Sequence, residues 1–70
     1  MAQGEIIFPV EVSLDGGLES RALEHSIYVE AETPEELRES VRDAVRCHFE
    51  EVDLPRVIRL HIVRDEILAV

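Results

Sequence analysis

Histidines are the side chains of this sequence best suited to bind a metal. His25, His48 and His61 could act with nearby carboxylates, but their separations of 23 and 13 residues match no ligand motif. His48 adjoins the apolar stripe of a predicted helix and His61 lies on a predicted strand, so packing roles are expected for both. We therefore expect no metal site and no cofactor.

Hydroxyl and thiol side chains are the other candidates for chemistry, as nucleophiles. Such groups need a base that is itself oriented by a third group. No such base is evident for the serines at positions 13, 20, 26 and 40. Cys47 and His48 are adjacent on a predicted helix, where their side chains point about 100° apart. We therefore expect no enzyme activity. Cys47 is also the only cysteine, which excludes an internal disulfide and suits a reducing compartment.

Three arginines at four-residue steps, Arg38, Arg42 and Arg46, could form a track for phosphate or RNA on a helix. Acidic residues interleave with them at three- and four-residue offsets. The pairs Glu35 with Arg38, Glu39 with Arg42, and Arg46 with Glu50 are then available. A solvated face of ion pairs is the better interpretation.

Net charge indicates which classes of partner the chain can bind. The chain has 16 acidic residues against 7 basic ones, all arginine, which gives a formal charge of −9. Nucleic acid and anionic lipid bind through positive surface, so we expect no direct contact with either. A basic protein is the electrostatically natural partner.

Length and hydropathy indicate one domain spanning residues 1–70, because 70 residues leave room for a single core. The N-terminus has no charged region followed by an apolar run, and no stretch approaches the roughly 18 apolar residues of a membrane span. A cytoplasmic protein is expected.

Alternating apolar residues from Ile6 to Leu14 predict a first strand, with an edge or a bulge at Pro9 because proline lacks an N–H. Asp15, Gly16 and Gly17 predict a hairpin turn. Residues 18–23 and 27–31 predict two further strands.

A capping box predicts a helix start: Thr33 can accept from the N–H of Glu36, whose carboxylate can reach back, and Pro34 fits the first helical position. Apolar residues recur from Leu37 to Phe49 at helical spacing, which predicts about four turns with one buried stripe. Residues 56–63 alternate again and predict a fourth strand. Asp65 and Glu66 then interrupt the pattern before the apolar residues 67–70.

These elements give an α+β, two-layer β-β-β-α-β domain with one helix packed on a three- to four-stranded sheet, or a five-stranded sheet if residues 67–70 pair. If the fourth strand is parallel to the first, the helix belongs to the crossover. The second face of the sheet carries apolar area, so we expect a homodimer that covers part of it. Its expected interface residues are Tyr28, Val57, Arg59, His61, Val63, Ile67, Leu68 and Val70.

The order of these motifs resembles the HicB-like antitoxin domain family. The resemblance covers residues 5–50 and rests on the Asp15-Gly16-Gly17 hairpin and on the run from Ile27 to Leu37, where an aromatic-containing strand leads into a Thr-X-Glu-Glu helix start. The Leu-Pro-Gly turn common before the third strand is replaced by residues 23–26. The chain is similar to short stand-alone members that lack a DNA-binding module.

The resemblance implies a protein-binding module that neutralises a small basic ribonuclease of the HicA type by covering its RNA-binding surface. The alternative is an accessory or structural homo-oligomer with no toxin partner, whose interface is formed by residues 67–70 and the open sheet face. Because no enzyme activity is expected, replacing His48 or His61 with alanine should affect stability alone.

Overall fold

A computed structural model describes residues 4–64 and 66–70. The chain order is β1 (Glu5–Val12), β2 (Leu18–Arg21), β3 (Tyr28–Ala31), α1 (Pro34–His48), a short 3-10 helix (Glu51–Asp53) and β4 (Val57–Val63). The strands form one sheet in the order β3-β2-β1-β4. The predicted β-β-β-α-β order and the α+β class are confirmed.

Strand directions follow from the pairing. β1 pairs with β2 and β2 with β3 antiparallel, whereas β4 pairs with β1 in parallel from Glu5↔Val57 to Glu11↔Val63. β3, α1 and β4 therefore form a crossover unit between parallel strands at opposite edges of the sheet. The predicted crossover role of the helix is confirmed.

The capping box fixes the start of α1. Thr33 is extended, with φ −133° and ψ 156°, and its Oγ1 accepts from the N–H of Glu36 at 3.1 Å. The Glu36 carboxylate accepts in turn from the N–H of Glu32 at 3.1 Å. The Glu36 carboxylate thus bonds the residue before the N-cap. The N–H groups of Glu32 and Glu36, which have no partner in the helical hydrogen-bond pattern, are both satisfied by side chains.

The core lies between α1 and one sheet face. Alternate residues of β1 meet one stripe of the helix, and the side chains of Phe8, Leu37, Val10 and Val41 are fully buried. Ile6, Ala22, Ile27, Val29 and Val45 complete the buried set. Ser20 is the buried polar residue here, and its hydroxyl donates to the carbonyl of Pro9 at 2.7 Å.

Pro9 lies in a central strand, so the expectation of an edge strand is wrong. The antiparallel ladder between β1 and β2 covers Val10–Val12 and is interrupted beside Pro9. The same register resumes where the N–H of Leu23 donates to the carbonyl of Ile7 at 2.9 Å. The sheet therefore tolerates the missing N–H of proline by losing ladder bonds locally, without an inserted residue.

The hairpin between β1 and β2 turns where Asp15 and two glycines predicted it. Gly16 has φ +93°, which favours glycine, and the N–H of Ser13 donates to the carbonyl of Gly17 at 2.8 Å. Asp15 also accepts from the Ser13 hydroxyl and from the N–H of Gly17. The carboxylate therefore bonds two groups of its own turn.

All four strands are shorter than their sequence patterns, β2 by two residues and the others by one, and residues 67–70 form no fifth strand. β2 ends at Arg21 and β3 begins at Tyr28, because residues 22–27 form a turn closed by the N–H of Ala22 and the carbonyl of Ile27 at 3.0 Å. Residues 66–70 have no helix or strand and are exposed. Asp65, expected to interrupt the pattern, lies outside the described residues.

Candidate functional site

The sheet face opposite the helix carries two kinds of side chain. Register places Val57, Arg59, His61 and Val63 of β4 beside Glu5, Ile7, Pro9 and Glu11 of β1 on this face. Tyr28 lies on the same face at the far edge strand, in the cross-strand row that also contains Arg21. Three strand spacings of about 4.8 Å separate the β3 and β4 ends of such a row.

Of the predicted interface residues, the structure thus brings together four on β4 and leaves Tyr28 about 14 Å from them across the sheet. Arg59 is held by Glu5, whose Oε2 accepts from Nε at 2.6 Å. His61 is exposed beside Pro9. Ile67, Leu68 and Val70 lie beyond β4, off the sheet, and are 93%, 78% and 129% exposed.

A row of glutamates crosses three strands of the open face. Glu11 pairs with Glu19, and Glu19 pairs with Glu30, so three like charges lie directly opposite one another. Such pairs destabilise a sheet. Asp15, Glu32 and Glu36 line a depression of about 440 Å³ with Glu19 and Glu30 at the same end of the sheet. We call these six residues, Glu11, Asp15, Glu19, Glu30, Glu32 and Glu36, the acidic end.

Tyr28 is the aromatic residue beside this row. Its hydroxyl donates to Oε2 of Glu19 at 3.2 Å, and the guanidinium of Arg21 lies 5.6 Å from its ring centroid. Desolvation, followed by the hydrogen bond to Glu19 and the charges of Glu19 and Glu30, raises the pKa of Tyr28 above its ordinary value of 10.0. Tyr28 thus donates to the middle glutamate of the row, and Arg21 lies over the ring of Tyr28.

The histidines do not gather as ligands. His25 and His48 have ring centroids 5.8 Å apart, and each packs edge-on against Phe49 at 5.0 and 4.9 Å. His48 was expected to be partly buried but is exposed, because it ends the helix beside the turn of residues 22–27. Within residues 4–64 and 66–70, no three His, Cys, Asp or Glu side chains are grouped to hold a metal ion.

The arginine stripe of α1 differs from its sequence interpretation. Among the described residues, its ion pair is Arg46 with Asp43 at 3.9 Å, and the three expected pairs with Glu35, Glu39 and Glu50 are not formed. The helix lies closest to β3, at one edge of the sheet. Its arginine flank therefore faces the half-buried inner side of β4, across a groove of about 530 Å³.

Two relatives match at least four fifths of the chain. A UPF0150 protein of Archaeoglobus fulgidus is 50% identical over 60 residues, which cover 80% of this chain and 89% of that protein. A UPF0150 protein of Thermotoga maritima is 40% identical over 68 residues, which cover 97% of this chain and 96% of that protein. This chain belongs to the UPF0150 family. No protein-family model matches it, and no solved structure matches it significantly.

Charged and apolar side chains of this UPF0150 chain lie on an open sheet face, in an acidic depression and along an arginine-lined groove. In the part of the chain that the structure describes, no helix is both long enough and apolar enough to span a bilayer. The register that creates the glutamate row could not be read from single strands, so sequence reasoning missed it.

Proposed function

We propose that this chain is a non-catalytic, protein-binding domain of the HicB-like antitoxin type that binds a small basic ribonuclease of the HicA type. The observation that carries the proposal is the glutamate row of Glu11, Glu19 and Glu30 within the acidic end. On a chain of net charge −9, this surface attracts a basic protein and speeds the encounter. A ribonuclease surface that binds RNA phosphates would be covered by the carboxylates.

The row also supports the proposal because it lowers the stability of the sheet. Cross-strand glutamates repel one another, and local rules are commonly broken where function requires it. Arg21 and Tyr28 compensate on one side only, where Tyr28 donates to Glu19. Glu11 and Glu30 are exposed, so their carboxylates are available to a basic partner.

The test is a pull-down at low salt from the native cell extract with tagged protein, read by mass spectrometry. Wild type should retain a small basic protein that is released as salt rises and that cleaves RNA when freed. The double variant Glu11→Gln, Glu30→Gln should lose it. Glu19 is kept because it holds Tyr28.

The matched control removes the same two charges elsewhere, as Glu39→Gln with Glu51→Gln. Both residues are exposed and lie on α1 and the short 3-10 helix, away from the acidic end. Retention by the control but not by the row variant supports the site. Equal loss from both variants contradicts the site, and recovery of no basic protein even at low salt contradicts the proposed function.

A second candidate, a homo-oligomer without a toxin, is favoured by the exposed apolar residues Ile67, Leu68 and Val70. β4 is an edge strand whose outer side has no partner among the described strands. Exposed apolar runs and free edges favour self-association. Light scattering should then show a dimer that is lost when residues 67–70 are deleted, whereas a monomeric wild type would contradict this candidate.

A further inference from the structure

We infer that the groove between α1 and β4 binds the acidic and apolar segment 66–70 of a second copy of this chain. The inference rests on the self-association of the second candidate and is independent of any toxin. The groove has a partly apolar lining: Ile58 and Leu60 of β4 and Leu54 at one end are half-buried there, whereas Val41 and Val45 of α1 form its buried floor. Apolar side chains of an occupant would contact the three half-buried residues.

The charged residues on the rims of the groove determine which charge an occupant should carry. Four of the chain's seven basic residues line it, namely Arg38, Arg42 and Arg46 on the helix and Arg56 before β4. Among the described residues, only Arg46 of these four has an ion-pair partner, at 3.9 Å and with both side chains largely exposed. This concentration of positive charge on an otherwise acidic chain favours a segment that carries carboxylates.

The segment 66–70 has that chemistry. Glu66 supplies a carboxylate, and Ile67, Leu68 and Val70 supply apolar side chains that are almost entirely exposed. All five residues of the segment are exposed.

Strand direction favours a second copy over the same chain. Leu54 and Arg56 precede β4, whereas the segment follows its opposite end. If two β4 edges pair antiparallel about a two-fold axis at Leu60, residue 66 of one copy lies level with Leu54 of the other. Each segment then enters the partner's groove at the end lined by Leu54 and Arg56.

Disulfide trapping between differently tagged copies tests the contact. In a Cys47→Ser background, which removes the exposed native thiol, Arg56→Cys, at the end of the groove where the segment enters, is mixed with Leu68→Cys. Mild oxidation should give a covalent heterodimer. The matched control mixes Arg21→Cys, an exposed arginine on the opposite sheet face, with Leu68→Cys and should give at least about tenfold less product.

Sedimentation equilibrium supplies the energetic test, with circular dichroism to verify that each variant is folded. Arg56→Glu should raise the dimer dissociation constant about tenfold, because attraction to Glu66 becomes repulsion. Adding Glu66→Arg should restore the dimer, and Arg21→Glu should leave it unchanged. Trapping at Arg21→Cys, or a dimer indifferent to Arg56→Glu, would overturn the groove contact while self-association stands. A wild type that is monomeric at all concentrations would overturn both.

Discussion

Tyr28 is a residue whose environment can be read directly by titration. It is the only tyrosine in a chain without tryptophan, so the phenolate absorbance reports on it alone. Its pKa should lie above 10.0 in the folded protein and return to about 10 in urea. Glu19→Gln should lower the folded pKa, because the hydrogen bond and the charge of Glu19 both favour the neutral phenol. An unchanged midpoint in Glu19→Gln would contradict the role of Glu19 and leave desolvation and Glu30 as the causes.

The pKa of Asp15 is shifted in the opposite direction from that of Tyr28, and its effect on stability appears at low pH. Its hydrogen bonds from Ser13 and from the N–H of Gly17 lower its pKa below the ordinary 3.8. The stabilisation is therefore present above pH about 3.9 and is lost as pH falls through the lowered value. Wild type should be more stable than Asp15→Asn at neutral pH, and the difference in urea midpoint should shrink toward pH about 2.5.

The control for Asp15→Asn is Glu39→Gln, which removes one charge from an exposed helical position. On a chain of charge −9, removal of any one negative charge reduces the repulsion within the molecule, and this control measures that effect on stability. A difference between the two variants that stays constant from neutral to acid pH would contradict the assigned role of the turn bonds.

Thr33 determines where α1 begins, so at the scale of elements it is the residue to change. Thr33→Ala removes the acceptor for the N–H of Glu36 and should lower the free energy of unfolding by about 1 kcal/mol in urea denaturation. Thr33→Ser keeps the hydroxyl and should lose only a small part of this. If the serine variant is destabilised as much as the alanine variant, the methyl group of Thr33 is responsible and the cap is not.

Element order and the helix start were predictable because their signals are local. The Asp15-Gly16-Gly17 turn, the capping box at Thr33 and the helical stripe through Leu37 each act within a few residues. The central position of Pro9 was not predictable, since it depends on β4 joining β1 on the side away from β2. The extent of β2 was also overestimated, because the turn after Arg21 takes two residues from the pattern.

The candidate surfaces required the assembled molecule. Glu11, Glu19 and Glu30 become neighbours only through the registers of two antiparallel pairs. The arginines of α1 are exposed, as a solvated face requires, but helical spacing alone does not show that their flank overhangs β4. Charge and apolar content could thus be predicted from the sequence, but their positions depend on tertiary packing.

At the scale of the whole molecule, the acidic row should lower the free energy of unfolding and strengthen binding to a basic partner. Glu11→Gln with Glu30→Gln removes two like-charge cross-strand pairs and should raise the free energy of unfolding by about 0.2–1 kcal/mol per pair at low salt. The gain should fall as salt screens the charges. The same variant should bind the basic partner more weakly in the pull-down. A variant that is more stable yet binds equally well would show that the row serves solubility, because a binding site for a basic protein requires those carboxylates.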